Sequence, residues 1–421
     1  MKNIVVPKKS ILNLYVYIVS FLIIFSSGAI LDQKYPDVAQ IIFVALCLPL
    51  ILNLFLYKRY LPYLLTIPPF YMLINYINYG ESILSYTLFI LKFIALLAFV
   101  RFCISKKINI LEKINKIIVA IAVYSLFTYL FLDVLKLLPH TMEVINNKPY
   151  KVWFGLHFHG QETDWYSYRV VRNNSIFWEP GVWQMYLNFS LIYQLFIKPK
   201  ANRFAVTVLL INLVTTFSTT GILTSAIILL IRYIKVKPRS KWTLFLKYYF
   251  LVPLIVGGVI LGSYILNQKI NAGGTRSFNL RMDDLLVGLE LFFQKPFFGW
   301  GFLNNSGYEA ITGTPNNSNG LVSMFFHQGI LGILFYFIPL FALMKHIFAK
   351  EQLFLGFVIT LYVLVSSAAE PIMYANYINL FICLGVVCIL DNKTFNEWFN
   401  IFANKKFITT IDKNQRAQLN T

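Results

Sequence analysis

Two arginine-bearing segments hold the residues best suited to chemistry: Tyr168 to Gly181 (YRVVRNNSIFWEPG) and Thr275 to Phe302 (TRSFNLRMDDLLVGLELFFQKPFFGWGF). Arg169 and Arg172 stand in the first and Arg276 and Arg281 in the second. A guanidinium stays protonated and grips a phosphate or carboxylate through two parallel N–H donors, so such residues suit an anionic ligand. Glu179 follows Arg172 at the mouth of an apolar stretch, where a partly desolvated carboxylate can serve as a base. His157, His159 and His327 compete for that role, and an ion pair with Arg172 is the plain structural alternative for Glu179. For the arginines the alternatives are lipid headgroups or salt bridges to Asp283 or Asp284.

The elements that position these residues are membrane helices. The chain has 421 residues, 57% hydrophobic and only 13% charged, a composition whose solvent is mostly lipid. A helix needs roughly 20 apolar residues to cross the hydrocarbon layer. Twelve stretches approach that length: near 11–31, 39–56, 61–79, 83–102, 115–135, 177–196, 204–218, 221–234, 248–265, 321–344, 352–367 and 374–390. The pair between 204 and 234 is short and separated only by Thr219 and Thr220, so it could form a hairpin that dips or tilts.

Basic residues accumulate on the cytoplasmic side of such spans. Placing the N-terminus inside puts most of the 37 Lys and Arg residues in alternate inner loops, so both termini are expected in the cytoplasm. The net charge of +19 is then an attraction to anionic headgroups, with no nucleic-acid footprint. The N-terminus shows no cleavable signal pattern. The expected fold is all-α and polytopic. It divides into membrane helices 1–5 over 1–136, a first extracytoplasmic loop over 137–176 and helices 6–9 over 177–265. A second such loop follows over 266–320, then helices 10–12 over 321–390 and a cytoplasmic tail over 391–421.

Both long loops fall outside and carry most of the polar chemistry, as long loops in compact proteins tend to do. In the second, Leu285, Leu286, Leu289 and Phe292 recur at helical spacing opposite Arg281, Asp284 and Glu290, predicting an amphipathic helix from Leu280 to Phe293 on the membrane surface. His157 and His159 are spaced to share one face of a strand, but with only Glu162 and Asp164 nearby no metal site is expected. The four cysteines fall in or at the ends of spans and have no zinc-ligand company. Glu370 stands at an outer span end, where it could line a substrate path or snorkel; Asn304, Asn305, Asn316 and Asn319 could hydrogen-bond sugars.

Arg172, Phe177, Glu179, Pro180 and Gly181 resemble the R-F-EP segment of the superfamily of O-antigen and capsular polysaccharide polymerases (Wzy-like) and O-antigen ligases. Arg281 followed by Pro296, Gly299 and Gly301 resembles the same family's arginine, amphipathic helix and P..G.G turn. A third element resembles the family at Ser318, Asn319, Gly329 and Gly332, except that Ser318 stands where the ligases carry a histidine. Thr220 likewise stands where the family's Ser-Arg-Gly segment has an arginine.

The resemblance covers about 165–335 and implies a GT-C-like fold in the bacterial inner membrane. It also implies that repeat units are joined by glycosyl transfer from undecaprenyl pyrophosphate. The missing histidine points to polymerase over ligase. Arg172 and Arg281, assisted by Arg169 or Arg276, would hold the pyrophosphate, with Glu179 as base and Ser318, Asn319 and His327 at the substrate. The carrier supplies the energy, so no cofactor is expected. The partners implied are the lipid-linked glycan, membrane lipids, a chain-length regulator and a flippase. A flippase or transporter is the competing class, but it should show charges inside several spans and two similar halves. Lys92 is the one clear charge within a span, and no internal repeat is visible.

Overall fold

The computed structural model describes residues 8–64, 76, 83–146, 148–165, 168–236, 275–315, 317–349 and 353–403, with scattered positions between 240 and 263. Helices dominate. The first are α1 (Lys8–Phe25), α2 (Ile30–Lys34), α3 (Val38–Phe55), α4 (Ile83–Ser105) and α5 (Ile110–Thr128), the last running on through a π-helical turn, Tyr129–Val134. After the first outer segment come α6 (Pro180–Ile192, with a π turn Tyr193–Ile197), α7 (Arg203–Thr215) and α8 (Thr219–Lys235). The remainder are α9 (Thr275–Gln294), α10 (Ser306–Thr312), α11 (Gly320–Ala349), α12 (Leu353–Ala369), α13 (Asn376–Leu390) and α14 (Asn392–Ala403).

Four helical stretches among the described residues are long and apolar enough to cross a membrane, Val38–Phe55, Tyr86–Ser105, Ile110–Val134 and Gly320–Phe348, and four shorter apolar helices accompany them. The expected spans at 61–79 and 248–265 lie largely outside the described residues. The 204–234 pair is two helices. The Ser218 side chain accepts from the Gly221 amide and caps α8, after Phe217 has turned the chain at φ 47°.

Loops assigned to one side by charge meet at one end of the bundle. Arg59 pairs with Asp391 at 3.4 Å, Lys107 with Glu397 at 3.6 Å, and Trp398 Nε1 donates to the Ile108 carbonyl at 2.8 Å. The tail therefore opens with a docked amphipathic helix, α14, whose Phe395 and Trp398 are buried. At the opposite end Lys34 pairs with Glu143 at 2.7 Å.

The all-α expectation needs one correction. The first outer segment contains an antiparallel sheet of β1 (Thr141–Ile145), β2 (Lys148–Trp153) and β3 (His157–His159), followed by a hairpin of β4 (Glu162–Trp165) and β5 (Tyr168–Val171). One face of the sheet buries Ile145, Tyr150, Val152 and Phe158 against Ile30 of α2. His157 and His159 do share a strand face, which is turned onto the end of α5: His157 Nε2 lies 3.1 Å from the Asp133 carboxylate, and His159 Nδ1 lies 3.7 Å from it.

α11 is broken. Gly329 has φ 59° and ψ −160°, and the turn from Pro296 to Gly301 lies against the break. The Trp300 and Gly301 amides donate to the Phe326 and His327 carbonyls at 2.7 and 2.8 Å, and the Ile330 amide donates to the Pro296 carbonyl at 2.8 Å. Backbone groups freed by the break thus find partners inside the protein, as non-helical backbone at membrane depth must. A Cβ on Gly329 would lie 2.6 Å from the Phe297 carbonyl carbon and oxygen, so both motif segments carry glycine where the two backbones touch.

Candidate active site

Glu179 sits in the N-cap position of α6 with extended backbone, followed by Pro180 at the first helical position. Its carboxylate, about one-third exposed, meets Lys148 Nζ of β2 at 3.4 Å. Arg172 follows β5, and its guanidinium is held at both edges. Nε donates to the Thr216 carbonyl at 3.0 Å, in the turn between α7 and α8, and Nη1 donates to Gln161 Oε1 at 3.3 Å. That turn lies just before Thr220, so the Arg172 guanidinium reaches the start of α8 from elsewhere in the chain. Asn173 next door is fixed by Ser125, Asn212 and Thr215, tying the segment to α5 and α7.

Arg281 on α9 approaches Glu370 from the connection between α12 and α13, with Nη2 3.7 Å from Oε1. Glu370 is 4% exposed, whereas the Arg281 side chain is 40% exposed and so remains open to a ligand. Two glycines make room for Glu370. A Cβ on Gly181 would overlap its Oε1 and lie 2.7 Å from Cδ, while one on Gly320 would lie 2.9 Å from Pro371 Cα.

Arg172, Arg281, Glu179 and Glu370 thus form one electrostatic cluster drawn from four segments. Burial, reinforced by the Glu179 charge, pushes the Glu370 carboxyl up to about 8 against the opposing pull of Arg281, Arg172 and Lys148. Burial likewise lowers the Arg172 pKa, with Glu179 and Glu370 countering and Arg281 adding repulsion. Two guanidiniums and an ammonium face two carboxylates, one of which favours the neutral form. The excess is positive and suits a ligand carrying more than one negative charge.

The remaining sequence candidates fall elsewhere or face inward. Arg169 lies on β5 opposite Asp164, and Arg276 lies in the first turns of α9; their side chains are outside the described residues. Ser318 donates through both its amide and its hydroxyl to the Asp284 carboxylate, which also accepts from the Tyr308 hydroxyl. Asn319 caps α11 by accepting from the Val322 amide at 3.1 Å. His327 is buried at the helix break, with Nε2 2.8 Å from Asn305 Oδ1 and Nδ1 3.2 Å from the Tyr374 hydroxyl. Ser318 and Asn319 therefore build the second outer segment, and His327 on α11 meets it at Asn305.

The amphipathic helix of that segment exists, with Asp284 and Leu286 departing from the expected faces. Asp284 is 4% exposed and Gly288 and Leu291 are buried beside it, while Leu280, Met282 and Leu286 point outward, Leu286 being 58% exposed. Phe292 and Leu285 do pack inward, against the cluster of Leu291, Tyr308, Val322 and Phe326. Where the surroundings are lipid, apolar side chains gain nothing by turning inward, and polar groups gather at the protein interior.

Among the described residues no group of three His, Cys, Asp or Glu side chains is placed to hold a metal ion. Burial lowers the His159 pKa, keeping that imidazole neutral beside Asp133. Glu370 is the residue whose central place sequence reasoning missed. The available signal was a lone carboxylate at a span end, which at such depth is costly unless it has a partner.

Residues 204–337 match the O-antigen ligase family model, a stretch containing Arg281, the 296–301 turn, Ser318 and His327 but neither Glu179 nor Glu370. No characterised protein and no solved structure matches the chain. Residues 204–337 are thus an O-antigen ligase domain, of the Wzy-type polymerase and ligase family that the sequence motifs resemble.

Proposed function

We propose that the protein is a polysaccharide polymerase, joining undecaprenyl-pyrophosphate-linked oligosaccharide units on the outer face of the bacterial inner membrane. The observation that carries this reading is the convergence of Arg172 and Arg281 on the Glu179 and Glu370 carboxylates at one end of a helical bundle. Family members act in polysaccharide assembly on lipid-linked glycans. A carrier diphosphate is an anionic group held at headgroup depth, where such a cluster would meet it.

In this reading Arg172 and Arg281 bind the diphosphate and take up charge as it departs. The acceptor hydroxyl oxygen attacks the anomeric carbon of the donor sugar, the bond from that carbon to the phosphate oxygen breaks, and its electron pair leaves with the diphosphate. The acceptor proton passes to Glu179, whose carboxylate is the accessible one. Removing one preorganised cation or donor from such a site costs about 10²–10³ in rate. Polymerase is favoured over ligase because Ser318 occupies the histidine position and spends its hydroxyl on Asp284.

The test is surface glycan length in the native host carrying Arg172→Ala, Arg281→Ala or Glu179→Ala, read on a gel. Collapse of the ladder to single repeat units is expected. Loss of all exported units would point to a flippase, and an unchanged ladder would remove these residues from the site.

A further inference from the structure

The outer sheet has two faces, and only one is fully accounted for. Its inner face packs on α2. The other carries Trp153, His157 and His159, and both histidines are pressed onto Asp133 at the end of α5. By the register Thr141 to Val152, Met142 to Lys151 and Val144 to Pro149, Met142 and Val144 belong to this same face. They stand on β1, two strands from the histidines that meet α5, and are 59% and 72% exposed. Phe154 and Leu156, in the turn between β2 and β3, are 80% and 63% exposed, and Trp153 Nε1 holds that turn to the Leu138 carbonyl at 3.1 Å.

This patch continues a surface that belongs to lipid. Along α5 the exposed apolar residues Val123, Phe127, Leu130 and Val134 form one stripe at helical spacing, on a helix long and apolar enough to cross the membrane. Leu135, Leu137 and Leu138, all exposed and flanking Lys136, extend that stripe toward β1. The exposed face of the sheet thus follows, in sequence, directly on the apolar stripe of α5.

We propose that Met142, Val144, Phe154 and Leu156 form a wedge seated in the lipid leaflet at this end of the bundle, at the boundary of headgroups and acyl chains. The exposed Lys136 stands at the root of the wedge, where an ammonium meets lipid phosphates. The consequence for the neighbouring cluster is positional. The sheet supplies Lys148, which pairs with Glu179, and leads directly to Gln161, which holds Arg172. A sheet anchored in lipid fixes those groups at the depth of lipid phosphates. The wedge itself stands on the geometry of the sheet and α5, independently of the reaction proposed above.

The test is a nitroxide scan of the full chain reconstituted in phospholipid nanodiscs. The four native cysteines are all buried, so a label reports on the introduced site. Labels at Val144→Cys and Phe154→Cys are compared with Glu309→Cys, at an exposed charged position of α10. The expected result is a several-fold higher ratio of oxygen to nickel-chelate accessibility at 144 and 154 than at 309. Nickel-chelate access at 144 and 154 equal to that at 309 would overturn the wedge. So would low access to both probes with spin–spin coupling between labels, which would mean that a second copy covers the face. Unchanged glycan ladders in the arginine variants together with a high accessibility ratio would overturn the polymerase reading and leave the wedge standing.

Discussion

Gly181→Ala is the sharpest perturbation of the cluster, because it adds one methyl group where the helix meets Glu370. The new Cβ would overlap Oε1 and lie 2.7 Å from Cδ, whereas ordinary contact begins near 3.4 Å. The carboxyl must therefore retreat by at least about 0.7 Å, the difference between those two distances. Its main chain cannot follow freely, since the Gly320 Cα position leaves no slack beside Pro371 and Ser367. Overpacking of this kind costs about 1–3 kcal/mol. In a Glu370→Ala background the obstacle is gone, and alanine in the first turn of α6 gains up to about 1 kcal/mol over glycine. A double-mutant cycle should thus return a coupling of about 2 kcal/mol between positions 181 and 370. The assay is reversible unfolding of the four proteins in mixed micelles, with glycan ladders from the same four strains. A shift of this size at a reacting centre can cost about 10²-fold in rate, so Gly181→Ala should shorten the ladder well before it empties the membrane of protein. Equal stability costs in both backgrounds would refute the proposed collision.

Stability should also depend on pH through Glu370. Its carboxyl stands at about 8 against an ordinary 4.5, so folding favours the protonated form. That contribution is fully present below about pH 4.5 and is lost as pH rises through about 8. Glu370→Gln should flatten the fall in melting temperature across that window, and an undiminished slope would assign it to another group. Gly299→Ala should be severe for a different reason. Gly299 has φ 72°, and a Cβ would lie 2.5 Å from the Gln328 amide nitrogen, in a backbone contact that cannot yield without breaking the bonds at the helix break. A loss of about 1–3 kcal/mol is expected, read as a lower melting temperature. A wild-type melting temperature would show that the 296–301 run is not held against α11.

The apolar stretches near 39–56, 83–102 and 321–344 closely match α3, α4 and α11, because lipid as solvent makes length and composition nearly sufficient. The segments that carry the family motifs meet in space. Arg172 and Arg281 do converge, and the glycines of the P..G.G and G..G runs lie at the broken helix. Three features were not legible. The strands between 141 and 171 are short and lie among helices that set the composition. The burial of Asp284 was not foreseen, because helical spacing groups it with Arg281 and Glu290, whereas it turns inward to Ser318 and Tyr308. Glu370 lies nearly ninety residues beyond Arg281, and no local pattern announces a contact made through α12.

The cluster is divided by the boundary of the O-antigen ligase domain, with Arg281 inside 204–337 and Arg172, Glu179 and Glu370 outside it. A chimera that exchanged only that domain between two family members would join one parent's cation to the other parent's carboxylates. Transplanting this centre intact requires 161–181 and 366–376 to travel with the domain as a single inheritance unit.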